Sequence, residues 1–250
     1  MKNKSLIITG GAGEIGLATA KLFLEKKSKV LIVDLDINKL EKIKSDLNSD
    51  NLEIFEADVT KEKEVEAYVA YAEKKFGEID MFFNNAGIEG KIQPITEMTT
   101  KDFDSVMQVN VFGVFYGMKY VMKSMKISGG GSIVISSSVA GLQGTAGMLP
   151  YITSKHAVIG IMKTAALEGG KMGIRVNTVN PGVVDSRMMD SIENGLGEDA
   201  NAIKEGFKQQ IPLGRYAHEK EIATTAYFLL SDQTPYTTGA VYVVDGGLTA

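Results

Sequence analysis

Three Tyr-x-x-x-Lys pairs occur in the sequence, Tyr71/Lys75, Tyr151/Lys155 and Tyr216/Lys220. On a helix, each would set a phenol and an ammonium one turn apart on one face. A phenol with a pKa of about 10 is a poor base at neutral pH, but a neighbouring ammonium favours its phenolate. Such a group can exchange a proton with the oxygen of an alcohol or a carbonyl. Context separates the three pairs. The first lies in the charged run "KEKEVEAYVAYAEKK", and the third leads into another charged helix. Only "PYITSKHAVIG" opens an apolar helix and follows a strand-like run ending in serines, "SIVISSSVAG". Ser138, thirteen residues before Tyr151, falls just past that strand's end, where its hydroxyl can hydrogen-bond the reacting oxygen.

The elements that must position this group alternate along the chain. Apolar, β-branched runs at 6–9, 30–34, 52–56, 81–84, 132–136, 174–180 and 240–244 are expected to be strands. Most are continuously apolar, as strands buried on both faces of a parallel sheet are. Helices are expected at about 16–27, 37–47, 61–76, 99–125, 150–170 and 219–230. The alternation predicts one α/β domain over residues 1–250, without internal repeats. Its form is a Rossmann-type doubly wound parallel sheet of about seven strands, with helices on both faces and right-handed crossovers. Residues 186–212, "SRMMDSIENGLGEDANAIKEGFKQQIP", interrupt the rhythm. The stretch is too long for a simple connection and follows a strand at the sheet's carboxyl edge, where such sheets bind ligands. It is expected to be a mobile substrate lid with one or two short helices, the alternative being a purely structural excursion.

The first strand runs into "TGGAGEIG", residues 9–16, and then a helix. Gly11, Gly13 and Gly16 satisfy G-x-G-x-x-G in a strand–loop–helix context, with Asp34 closing the next strand. Glycines let the backbone approach phosphates, and the helix N-terminus favours a pyrophosphate. Asp34 would accept from a ribose 2′-OH and repel a 2′-phosphate, and neither Gly13 nor Leu35 offers a basic side chain, so the expected cofactor is NAD. As a cap or turn residue, Asp34 would carry no such meaning. No Gly-Lys-Ser/Thr follows the glycines, which disfavours a P-loop NTPase. Methyltransferases share the glycine loop and the acid, so the nucleotide half alone leaves the class open. With Ser138, Tyr151 and Lys155, the combination points to hydride transfer: the cofactor carries the hydride, and the protein supplies position and a proton.

Composition narrows the rest. The 250 residues are 44% apolar and 23% charged, ordinary for a globular protein that needs no disulfide to hold its core. There is no cysteine and there are two histidines, His156 and His218, which excludes thiolate chemistry and makes a metal site unexpected. A net charge of −4 gives no basic footprint for nucleic acid, and the interleaved Lys and Glu suit solvated helix faces better than an interaction surface. No apolar run is long enough to span a bilayer, and the start lacks a secretory signal, so a cytoplasmic location is expected.

Together these stretches resemble the classical short-chain dehydrogenases/reductases over essentially the whole length. The matches are "TGGAGEIG", "ADVT" with Asp58, "NNAG" at 84–87, Asn110 in "VNVFG", Ser138, Tyr151, Lys155, "NPGVVDSRM" and "YTTGAVYVVDGG". The resemblance implies a catalytic tetrad of Asn110, Ser138, Tyr151 and Lys155, with Asn110 bending its helix and holding a proton-relay water. It implies cofactor contacts from Gly10, Gly13, Ile15 and Gly16 in the loop, and from Asp34, Leu35, Asp58 and Val59 toward the adenosine. Asn85, Ala86 and Gly87 would line the middle of the cofactor, and Tyr151, Lys155, Pro181, Gly182, Val184 and Ser186 its nicotinamide end. Ser186 replaces the more usual threonine and keeps the hydroxyl. The helix around "VMQVNVFGVFYGMKYVM" is similar to the family's subunit-packing helix and implies a homotetramer, a fully buried intrachain helix being the other reading.

Val139, Gln143, Met148, Leu149, Val183, Met188 and Met189 would form a mostly uncharged substrate pocket. "FFNNAGIEGK", "GLQGTAGML" and the Met-rich lid are similar to members acting on cyclic or largely apolar ketones and diols. The leading expectation is an NAD(H)-dependent oxidoreductase interconverting a secondary alcohol and a ketone. A 3-oxoacyl thioester reductase is the alternative enzyme, disfavoured because that activity usually goes with NADP. A non-catalytic dinucleotide sensor or scaffold is the alternative outside enzymes, supported by Glu14 alone. Glu14 departs from the family pattern, which has Gly or Ala there. Turned inward it would repel the pyrophosphate, so it is expected to point to solvent as a first-turn acid of its own helix. If Asp34 acts as read, kcat/KM should favour NAD over NADP by at least about 100-fold, on the order of 3 kcal/mol. Steady-state kinetics with both cofactors checks this, and equal efficiencies would contradict the reading.

Overall fold

A continuously apolar strand serves two cores at once, because successive side chains leave opposite faces of the sheet. The computed structural model describes residues 1–196 and 199–250, so Gly197 and Glu198 of the expected lid lie outside the described residues. Its strands are β1 (Ser5–Thr9), β2 (Lys29–Asp34), β3 (Leu52–Glu56), β4 (Met81–Asn84), β5 (Gly131–Ser136), β6 (Ile174–Pro181) and β7 (Val241–Val244). They form one parallel sheet in the order β3-β2-β1-β4-β5-β6-β7. The connecting helices are α1 (Glu14–Glu25), α2 (Ile37–Leu47), α3 (Glu62–Phe76), α4 (Thr100–Met107), α5 (Val114–Ser128) and α6 (Leu149–Gly170). After β6 come α7 (Arg187–Leu196), α8 (Ala200–Gln210) and α9 (Glu219–Leu230).

Alternation along the strands divides the core. Ile7, Leu31, Val33, Phe82, Ile133 and Ile135 pack on one face with Tyr68, Met118, Val158 and Met162 of α3, α5 and α6. Their strand neighbours Leu6, Ile8, Val30, Ile32, Phe83 and Val134 pack on the other with Phe23, Leu40 and Leu229 of α1, α2 and α9. This is the doubly wound parallel sheet expected from the apolar runs. A third cluster, with Met148, Tyr151, Val183, Met189, Ile192, Ile211 and Tyr216, joins residues from the 186–212 segment to the carboxyl edge of the sheet.

The helix expected over 99–125 is interrupted. Between α4 and α5 lies a π-helical stretch, Gln108–Gly113, in which one wider turn accommodates an extra residue. Within it, the Asn110 side chain leaves the helix to meet Ile88: its Oδ1 accepts the Ile88 N–H at 2.9 Å and its Nδ2 donates to the Ile88 carbonyl at 2.9 Å. Helix α1 begins at Glu14 instead of Gly16, and the 186–212 segment contains two helices, α7 and α8.

The strand order reverses beside β1, with β2 on one side and β4 on the other, and this opens a crevice at the carboxyl ends of β1 and β4. Thr9 braces it: its Oγ1 accepts from the Asn85 and Ala86 N–H groups at 3.0 and 3.2 Å. Gly10 has φ +63°, and a Cβ there would lie 2.9 Å from the Ala86 Cα, so both conformation and space demand glycine. At Gly16 a Cβ would run into the Gly10 carbonyl oxygen, so the loop must shift to accept one. Gly16→Ala should therefore destabilise the protein by about 1–3 kcal/mol. Gly206→Ala, inside α8 with open space at its Cβ, should stabilise it by about 0.5–1 kcal/mol. Urea unfolding of both variants checks the pair, and a neutral Gly16→Ala would show that the loop yields.

Candidate active site

The apolar, Pro-containing start of α6 carries Tyr151 and Lys155 on one face, toward the end of β5. Both are buried, Tyr151 at 8% exposure and Lys155 at 5%, and the Lys155 Nζ lies 5.4 Å from the centre of the Tyr151 ring. Lys155 donates to the Ser136 carbonyl at 2.9 Å, and Ser137 Oγ donates to the Lys155 carbonyl at 3.0 Å, which ties the helix to the strand's serine-rich end. Ser138 Oγ accepts the Ala140 N–H at 3.1 Å and donates to the Pro181 carbonyl at 3.3 Å. Asn180 Nδ2 in turn donates to the Ser138 carbonyl at 2.8 Å, so β6 braces the serine from the other side.

Burial dominates the electrostatics. It pushes the Tyr151 phenol up to about 12, with the Ser138 side chain pulling the other way and Glu89 adding to the rise. It also pushes the Lys155 ammonium down to about 8. The sequence-based expectation that Lys155 would hold Tyr151 toward its phenolate is thus outweighed here, because both groups have lost their water.

The other two Tyr–Lys pairs lie elsewhere. Tyr71 Oη donates to Glu53 at 2.9 Å and Lys75 donates to the same carboxylate at 3.2 Å, beside the edge strand β3. Tyr216 Oη donates to Glu193 of α7 at 2.7 Å, and the cation over its ring is Lys204, not Lys220.

Tyr151, Lys155 and Ser138 open onto a cleft of about 720 Å³ along the carboxyl edge of the sheet. Of the residues read as cofactor contacts, Gly10, Gly13, Ile15, Asp34, Leu35, Asp58 and Val59 line it at one end. Asn85, Ala86 and Gly87 line its middle, and Pro181, Gly182, Val184 and Ser186 lie toward Tyr151. Of the substrate-pocket residues, Val139, Gln143, Met148, Val183, Met188 and Met189 face the same cleft.

Three sequence-based assignments do not line it. Leu149 lies two helical positions before Tyr151, which turns it to a different face of α6. Gly16 is packed against the Gly10 carbonyl and supports the loop from behind. Asn110 is buried behind the cleft, held by Ile88 and by Ser154, whose Oγ accepts from Asn110 Nδ2 at 3.0 Å and donates to the Tyr151 carbonyl at 2.8 Å. Ser154 was missed in the sequence, although it stands inside the Tyr-x-x-x-Lys stretch; its position beside Asn110 is set by tertiary packing. Glu89 and Arg187 were also missed. Arg187 lines the cleft and its guanidinium forks onto Glu89 at 2.9 and 3.4 Å.

These residues fit a dinucleotide. Gly13 is the N-cap of α1 and no side chain caps that helix, which leaves first-turn N–H groups for an anion. Asp34 turns both carboxylate oxygens to backbone, Oδ2 accepting the Ala12 N–H at 2.9 Å and Oδ1 the Leu35 N–H at 2.8 Å. A carboxylate has further lone pairs, so it holds the loop and still offers an acceptor. Capping of α2 belongs to Asp36, which accepts the Lys39 N–H at 3.1 Å. Among the described residues no cluster could hold a metal ion. Glu14 is exposed and stands in the first turn of α1, as expected, and it makes a further contact. Its Oε1 accepts the Arg187 N–H at 3.1 Å, across the cleft.

Comparisons with known proteins agree with this architecture. A family model described as enoyl-(acyl carrier protein) reductase matches residues 10–249. Levodione reductase of Leifsonia aquatica is 38% identical over 253 residues, covering 99% of this chain and 95% of that protein. The crystal structure of levodione reductase superposes with a TM-score of 0.96 at 37% identity, covering 99% of this chain and 98% of that one. Cyclohexanol dehydrogenase of Acinetobacter sp. (strain SE19) is 33% identical over 250 residues, covering 99% of this chain and 96% of that protein. An NAD+-bound xylitol dehydrogenase gives a TM-score of 0.93 at 32% identity, with 98% and 99% of the two chains covered. Matched in sequence and in fold over nearly its whole length, the chain belongs to the short-chain dehydrogenase/reductase family, and it is an oxidoreductase of CH–OH groups.

Proposed function

We propose that the protein interconverts a secondary alcohol and a ketone on a small, largely neutral, cyclic substrate, using NAD(H). The observation that carries this reading is the buried Tyr151 phenol beside Ser138 and Lys155, facing a wall of Met148, Val183, Met188, Met189 and Ile192. That wall suits an apolar ring, and the ring substrates named in levodione reductase and cyclohexanol dehydrogenase support the same class. Asp34 at the end of β2 and the NAD+ of the related xylitol dehydrogenase support NAD as cofactor.

The bound dinucleotide supplies the hydride in reduction and takes it in oxidation. Tyr151 Oη gives a proton to the carbonyl oxygen in the first direction and accepts one from the hydroxyl in the second. Ser138 Oγ hydrogen-bonds that oxygen and holds it in line with the phenol. Lys155 stabilises negative charge as it grows on Tyr151 and orients the ribose, while Asn110 holds the relay behind it. The chain works as one domain over residues 1–250, with 186–212 as its substrate lid. Exposed Phe112 and Phe115 on the π-helical stretch and α5, with Leu167 on α6, support packing into a homotetramer. No helix of the described residues is long and apolar enough to cross a membrane, which supports a cytoplasmic location.

Following NADH absorbance with a panel of cyclic ketones, diols, sugars and acyl thioesters tests the reading, and preference for an acyl thioester would overturn it. Tyr151→Phe should lower kcat/KM on the best substrate by at least about 100-fold while NADH binding stays within about twofold. Tyr71→Phe should do little, and an equal loss there would refute the choice among the three pairs.

The pKa directions give signs for pH dependence. With Tyr151 raised to about 12, the protonated phenol required for reduction is the resting form across neutral pH. Reduction should stay level below the Lys155 value of about 8 and fall above it, as the ammonium that stabilises the phenolate forming on Tyr151 is lost. Oxidation needs the phenolate, so its kcat/KM should rise by about tenfold per pH unit below about pH 8. Rate profiles in both directions check this, and a flat oxidation profile would contradict it.

A further inference from the structure

Glu14 stands where the family pattern has glycine or alanine, at the first position of α1, directly after the glycine loop. Its Oε1 reaches the backbone N–H of Arg187, 173 residues further on and the first residue of α7, at 3.1 Å. The opening N–H groups of a helix lack intrahelical partners, and a carboxylate there both accepts a hydrogen bond and meets the positive end of the dipole. Ser186 Oγ accepts the Met189 N–H at 3.3 Å at the same end. The Arg187 side chain turns the other way, onto Glu89 in the loop after β4, at 2.9 Å. The head of α7 is thus held twice, by its backbone from the first residue of α1 and by its side chain from the β4–α4 loop. The next residues on α7 are those nearest the chemistry: Met188 Sδ lies 3.9 Å from Tyr151 Oη, and Met189 and Ile192 pack in one cluster with Tyr151.

We propose that Glu14 is a positioning residue, which caps α7 from the head of α1 and thereby sets the apolar wall of the substrate site against Tyr151. The inference rests on the proposed role of 186–212 as the substrate lid. The acid that looked misplaced beside a phosphate loop then has a function: it couples the first turn of α1, at the cofactor end of the cleft, to the helix that covers the substrate. Because it acts on binding of the ring and not on proton transfer, its loss should appear in KM for the carbonyl substrate and not in kcat.

The test uses the full-length protein with NADH, comparing wild type, Glu14→Ala and Glu14→Gln, since glutamine keeps an acceptor oxygen without the charge. Hydrogen exchange of the opening turn of α7 should be about fivefold faster in Glu14→Ala, the loss expected of a helix cap, and near wild type in Glu14→Gln. Exchange in α9 should be unchanged in both, which separates a local release from general loosening. Ketone KM should rise by about three- to tenfold in Glu14→Ala with kcat within about twofold. Unchanged α7 exchange in Glu14→Ala, or equal release in both variants, would overturn the proposal. So would salt-dependent tightening of NADH on removal of the charge, which would place the carboxylate against the pyrophosphate instead. If wild type turns over nothing in the substrate panel, the proposed function fails on its own, and the exchange measurement still decides whether Glu14 holds α7.

Discussion

The site is organised around a cation kept out of water. Lys155 is 5% exposed and, among the described residues, its ammonium donates one hydrogen bond, to the Ser136 carbonyl. A buried ammonium with donors to spare is costly, and the lowered pKa of about 8 records that cost. The surroundings hold it in place. The serine-rich end of β5 grips α6 through Ser136 and Ser137, while Asn110 of the π-helical stretch donates to Ser154 on the same helix, whose Oγ donates to the Tyr151 carbonyl. The π-helical turn has a clear purpose in this arrangement, since a regular α-turn would not release the Asn110 side chain toward Ile88 and Ser154 together.

Desolvation also links the two halves of the molecule. Tyr151 is pushed up and Lys155 pushed down by the same burial, so the resting pair is a neutral phenol beside a weakly held proton. Charge brought to the crevice acts strongly on such a pair, because little water is present to screen it. The crevice lies where the strand order reverses between β2 and β4 around β1, and the glycine loop enters it beside Ala86. Fold topology and proton chemistry therefore meet at one place.

What the sequence made legible follows from how local each feature is. The strands were readable because residues such as Ile7 and Ile8 are both apolar and serve opposite cores, which only a doubly covered sheet permits. The choice of Tyr151/Lys155 over Tyr71/Lys75 was readable from the apolar helix start and the preceding serines. The break at Gln108–Gly113 was suggested only through the resemblance at Asn110, since the wider turn depends on Ile88, distant in sequence. Leu149 was grouped with the pocket as a nearby apolar residue, and the helix's angular step turns it away from the Tyr151 face. The direction of the Tyr151 shift was lost because burial of both partners is a property of the packed molecule.

Glu14 shows the limit most clearly, and it bears on substrate charge. In sequence it had two places to point, solvent or pyrophosphate, and the structure leaves it exposed while one oxygen reaches the α7 backbone across the cleft. With Glu14 on its backbone and Glu89 on its guanidinium, Arg187 lines the cleft beside Met188 and is already matched by two carboxylates. Both acids hold its charge in place, since each favours the protonated guanidinium. An anionic substrate would have to draw Arg187 from Glu89 and then face that bared carboxylate, which already raises Tyr151. A neutral ring asks for neither step. If the proposed substrate class holds, the contacts at the head of α7 would add to the apolar wall in favouring uncharged ketones and alcohols.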